Sequence, residues 1–129
     1  MLELADLKAI AAAAESEALK NAWAVTIAIV DDGGHLLWLQ RLDGAPPASA
    51  HIGPEKARTA AMGRRESKTY EDTINNGRFA FLSAPLQGML EGGVPIMKDG
   101  QCLGAVGVSG VKSSEDAQIA RAGLAAIGL

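Results

Sequence analysis

The chain has 129 residues, one cysteine and a formal net charge of −3, with 48% hydrophobic and only 4% aromatic residues. That length suits one domain, 1–129, whose core is built from Ala, Leu, Ile and Val. The weak acidity offers no field for a phosphate backbone, which argues against nucleic acid, and a single cysteine excludes an internal disulfide or a Cys-based metal site.

Residues 3–22 read as a helix, with Leu4, Leu7, Ile10, Ala11, Ala14, Ala18 and Leu19 on one face. The start has no basic or apolar leader, and no apolar run approaches the ~20 residues of a membrane span, so the expected location is the cytoplasm. Residues 25–30 and 36–42 read as strands. The Asp31-Asp-Gly-Gly34 turn between them predicts an antiparallel hairpin, because Asp-Gly supplies the positive φ of a tight turn.

Asp43-Gly-Ala-Pro-Pro47 breaks regular structure. A helix then runs from near Ser49 or Ile52 to about Gly63, with Pro54 in its first turn. A second helical piece starts at Ser67 as cap and ends at Asn76-Gly77. Residues 78–90 are ambiguous, with Phe79, Phe81 and Leu82 expected in the interior. Residues 94–98 and 102–109 form a second hairpin, and a helix capped by Ser113 or Ser114 closes the chain. The order α-β-β-α-α-(β)-β-β-α pairs strands as hairpins, predicting an α+β fold in which helices pack on an antiparallel sheet.

The segment 91–110 combines glycine with a strand pattern, which costs stability unless something approaches the backbone closely. Gly104 and Gly107 point to opposite sheet faces, so one ligand cannot explain both. The strand ends, Gly92, Gly93, Ser109 and Gly110, are the places where a ligand would meet the backbone.

No standard catalytic motif is present. His35 reads as a surface turn residue. His51 stands where a loop enters a helix, and its imidazole suits haem iron or a metal. Lys56 and Thr59 lie one helical turn apart, and Arg41, Asp43 and Ser49 lead into the same region. Arg, Lys and hydroxyl groups together suit a carboxylate or a haem propionate; surface ion pairs such as Arg41–Asp43 or Lys56–Glu55 are the alternative. As acid–base groups Lys56 or His51 would serve an enzyme acting on a small organic acid, with Arg41 holding the carboxylate. A structural subunit without chemistry of its own is the third reading.

Five blocks carry a resemblance: Ile27-Ala-Ile-Val-Asp-Asp-Gly-Gly34, Arg41-Leu-Asp-Gly-Ala45, Lys56-Ala-Arg-Thr-Ala60, Gly92-Gly-Val-Pro95 and Gly104-Ala-Val-Gly-Val-Ser-Gly110. In order and spacing they resemble the GlcG/HbpS family, also called the haem-degrading or DUF336 family, which includes the C-terminal domain of PduO-type cobalamin adenosyltransferases. The resemblance implies a profilin- or roadblock-like sandwich with a sheet of about five strands. It also implies homo-oligomers, haem or another tetrapyrrole as a ligand in some members, and an accessory place in a catabolic pathway in others. It brings Thr59 forward, beside His51, as a haem contact.

Overall fold

A computed structural model describes residues 1–129. Four helices and four strands run in the order α1 (Leu4–Lys20), β1 (Thr26–Asp31), β2 (Leu36–Arg41), α2 (Ser49–Gly63), α3 (Lys68–Asn75), β3 (Gly93–Lys98), β4 (Gln101–Ser109) and α4 (Ser113–Ala125). The sheet has four strands and not about five, in the order β2-β1-β4-β3, with every neighbouring pair antiparallel. The ambiguous stretch supplies no strand: residues Phe79–Ser83 form a 3₁₀ turn. Phe79 and Leu82, expected inside, are exposed.

Helices cover both faces of the sheet. On one face α1 and α4 bury Leu7, Ile10, Ile119 and Leu124 against Ile27, Ile29, Ile96, Val106 and Val108. On the other, α2 lays Ala57, Ala60 and Ala61 against Val30 and Ala105. This second interface is built from small side chains, so the helix sits close to the strands. A Cβ at Gly107 would fall inside contact distance of the Gly53 carbonyl and the Ala57 backbone. A Cβ at Gly104 would instead meet the Val30 carbonyl and Leu2. The two glycines therefore admit α2 and the N-terminal segment respectively, and no ligand is needed to explain either.

Several local expectations change. Leu4 and Leu19 of α1 are exposed. Pro54 stands inside α2, which begins at Ser49, so the Ala50 carbonyl loses its usual helical donor. Ser67 precedes α3 without capping it; its hydroxyl accepts the Gly93 N–H at 2.8 Å and so fastens α3 to β3. Lys112, not Ser113 or Ser114, is the N-cap residue of α4, and Glu115 reaches back to the Lys112 N–H. No helix is long and apolar enough to cross a membrane.

Candidate functional site: a buried ion pair and an open shelf

Lys56 lies on the side of α2 that faces β3, and its ammonium does not reach solvent. The side chain is 4% exposed and that of Asp116 is 3%. Nζ donates to Asp116 Oδ2 at 3.0 Å and to the Val108 carbonyl at 3.0 Å. The other carboxylate oxygen, Oδ1, accepts the Val111 N–H at 3.2 Å. Lys56 begins on one face of the sheet and Asp116 on the helix that covers the other. The pair thus joins the two layers past the ends of β3 and β4.

Gly92 and Gly93 make the passage. A Cβ at Gly92 would lie 2.8 Å from Lys56 Nζ and 2.7 Å from the Val108 oxygen, and one at Gly93 would overlap the Lys56 carbonyl. Burial pushes the Asp116 carboxyl above its usual range, opposed by the Lys56 ammonium and the Val111 N–H. Asp116 stands in the acidic first turn of α4. It shares the apolar side of that helix with Ile119, Ala120 and Gly123, and that three-and-four spacing is the sequence signal that would have revealed it.

The other predicted residues divide among different places. Thr59 is 1% exposed, and its hydroxyl accepts the Gly88 N–H at 3.1 Å. Ser49 is buried and bonds Thr26 Oγ1 at 2.7 Å, docking the start of α2 on β1. Ser109 is buried opposite Thr26 in the ladder, and Gly110 packs against Ala24 and Val25. Arg41 does not pair with Asp43; its Nε and Nη2 donate to the Ala45 carbonyl. Glu55 pairs with Arg58, not with Lys56. Lys56 and Arg41, expected to share one ligand, are separated: Lys56 is enclosed beside β3, and Arg41 is exposed on β2 at the opposite edge of the sheet.

Two open surfaces carry residues from the predicted set. The first is a cleft of about 480 Å³ between the end of α1 and β2, lined by Glu15, Leu19, Trp23, Gln40, Arg41 and Asp43. The second is a shelf beside α2. Thr26, Ala28 and Val30 look toward α2, so their ladder partners Arg41, Leu39 and Leu36 look the same way. Helix α2 lies over the β1–β4 boundary, where Gly53 approaches the carbonyls of Thr26 and Gly107. Strand β2 is therefore uncovered on this face, leaving Leu36 and Leu39 49% and 48% exposed.

The wall of the shelf is the side of α2 that carries Arg58, which donates to the Gly34 carbonyl of the β1–β2 turn. At 100° per residue, His51 and Met62 project from α2 within about 40° of Arg58. His51 is exposed, and its ring has no hydrogen-bond partner, whereas His35 Nδ1 is held by Asp31. The shelf thus combines a leucine floor, a free imidazole, two guanidinium groups and the exposed thioether of Met62.

The profile of the family described as "Haem degrading protein HbpS-like" matches residues 2–125. The chain belongs to this HbpS-like family. It is 62% identical over 101 residues to Protein GlcG of Escherichia coli K12, covering 78% of this chain and 75% of GlcG. Among solved structures, the DUF336 protein ORFY of Klebsiella pneumoniae superposes with a TM-score of 0.90 at 30% identity, over 98% of this chain and 90% of that one. A PduOC:heme complex superposes with a TM-score of 0.87 at 27% identity, over 97% and 94%.

Proposed function

We propose that this HbpS-like chain binds haem or a related tetrapyrrole on the α2–β2 shelf, with His51 as the iron donor and Arg41 and Arg58 facing the propionates. The observation that carries this reading is the unpartnered His51 imidazole beside an exposed leucine floor, in a fold shared with a protein crystallised with haem. The donor set fits the group. Imidazole is a common axial ligand of haem iron, and guanidinium suits carboxylates. Thr59 fits less well as an iron donor, because its hydroxyl is enclosed and already accepts a hydrogen bond.

Further parts of the proposal are a homo-oligomer and an accessory place in a catabolic pathway, which the family resemblance supports, and a cytoplasmic setting. Acid–base chemistry by Lys56 finds no support in an ammonium closed off by Asp116 and Val108.

Titration of the purified protein with hemin tests the reading. The expected result is a saturable Soret shift that His51→Ala removes and Thr59→Ser leaves in place. A spectrum matching that of free hemin, or a shift indifferent to His51→Ala, overturns it.

A further inference from the structure

Of the residues lining the cleft between α1 and β2, only Arg41 also belongs to the α2–β2 shelf. One wall of the cleft comes from the last turns of α1, where Glu15 and Leu19 stand four residues apart on the same side. The helix ends at Lys20, and Ala22 takes a left-handed conformation, φ 58°, which a residue with a Cβ adopts at some cost. That turn lets the Trp23 N–H close the helix by donating to the Ala18 carbonyl at 2.9 Å, and it brings Trp23 into the cleft wall. The end of β2 and the Asp43 that follows it form the opposite side.

Two carboxylates line this space, and neither is in an ion pair. Glu15 Oε1 accepts from Gln40 Nε2 at 3.0 Å, and Gln40 Oε1 in turn accepts from the Trp38 indole N–H at 3.2 Å. Neutral partners thus hold Glu15 in place and leave its Oε2 free. Asp43 is exposed and gains nothing from its neighbour, because the Arg41 guanidinium is turned to the Ala45 carbonyl. Lys20, the base in the last turn of α1, pairs with Glu17. Two further features carry the same sign. The carbonyl end of α1, a helix of 17 residues, is the negative end of its dipole. The face of an indole ring attracts cations through its quadrupole. No three His, Cys, Asp or Glu side chains come together to hold a metal ion. Leu19, Trp23 and Leu42 add an apolar lining that a bare ion would not use.

We propose that this cleft of about 480 Å³ binds an organic cation, a primary ammonium group on a short apolar chain. The ammonium lies between Glu15 and Asp43 beside the Trp23 ring, where its three N–H donors meet free carboxylate oxygens. The chain lies against Leu19 and Leu42. The cleft therefore prefers a cation to a neutral molecule of the same shape, and that molecule to an anion. None of this rests on the haem reading, since Glu15, Trp23 and Asp43 lie outside the shelf.

The test is a titration of the ¹⁵N-labelled protein with three molecules of one shape at matched ionic strength: 3-methylbutylamine hydrochloride, 3-methylbutan-1-ol and sodium 3-methylbutanoate. The chain has two tryptophans, so the Trp23 indole N–H resonance is assigned by its loss in Trp23→Phe. The expected result is a saturable shift of that resonance and of the backbone N–H groups of residues 19–24 with the amine. The alcohol should bind at least about fivefold more weakly, and the carboxylate more weakly still. In Glu15→Gln/Asp43→Asn, amine binding should fall to the level of the alcohol, because glutamine at position 15 can still accept from Gln40 but carries no charge. Shifts that never saturate, an alcohol that binds as tightly as the amine, or a carboxylate that binds more tightly overturns the proposal. Undiminished amine binding in the folded double variant also overturns it; if that variant does not fold, the three-ligand series decides.

Discussion

Lys56→Met removes an ammonium of similar bulk and leaves the Asp116 carboxylate buried with one remaining donor, the Val111 N–H. Breaking one side of a buried ion pair costs about 3–5 kcal/mol, a large share of the roughly 5–15 kcal/mol that holds a domain together. The cost has a pH signature. In the intact protein, burial makes Asp116 bind its proton more tightly folded than unfolded. Its contribution to stability therefore falls as pH rises from the unfolded value near 3.9 through the raised folded value. Without Lys56 that window extends upward, so the deficit of Lys56→Met shrinks in acid as the carboxyl neutralises. Asp116→Asn behaves in the opposite way: it strands the ammonium beside the Val108 carbonyl, and acid gives no relief. Urea unfolding of both variants and of the parent at pH 5 and pH 8 measures this. The double variant Lys56→Met/Asp116→Leu should recover much of the loss, since an apolar replacement leaves neither charge uncompensated. Single-variant costs below about 1 kcal/mol, or parallel pH profiles for the two variants, would refute the account of the pair as a dry tie between layers.

Two further outcomes follow from the packing. Gly107→Ala pushes a methyl into the Gly53 carbonyl and Ala57, so α2 must lift from the sheet at a cost of about 1–3 kcal/mol, read as a lowered denaturation midpoint. Asp31→Ala removes the carboxylate that accepts the Gly33 and His35 N–H groups at 2.9 Å, at a cost of about 1 kcal/mol after solvent screening. Burial is the largest single influence and raises the Asp31 pKa, but those N–H groups and the His35 ring together outweigh it and hold it below its usual value. Its stabilisation is therefore present above the unfolded pKa and lost as pH falls through the folded one, so parent and Asp31→Ala should converge in strong acid.

The hairpins and helices were legible because their signals are local. Asp31-Asp-Gly-Gly34 fixes a turn within four residues, and the observed strands end within one residue of those read from the sequence. What was not legible depends on contacts distant in the chain. Helical spacing rightly gave Lys56 and Thr59 a common side of α2, but it could not show that this side faces β3, the Gly88 segment and Asp116, while His51 faces the other way. Hydrophobicity likewise placed Phe79 and Leu82 inside, though nothing in a monomer covers them. Arg41 and Asp43 were read into one region with Ser49, Lys56 and Thr59, but the cleft they line is completed by Leu19 and Trp23, from the end of α1 and the segment that follows it.

The glycines at the start of β3 and in β4 answer two different demands. Gly107 exists for a helix: α2 is built of alanine and glycine where it meets the sheet, and a side chain there would separate the layers. Gly92 and Gly93 exist for a side chain, since they clear the path by which Lys56 crosses to Asp116. Both demands fix α2 firmly on β1, β4 and β3, and that placement is what leaves β2 bare. A helix centred over β1 and β2 would have covered Leu36 and Leu39 and turned His51 out into solvent. The close packing at one end of the sheet thus determines the exposed apolar shelf at the other, and a change such as Gly107→Ala should disturb hemin binding from a position outside the shelf.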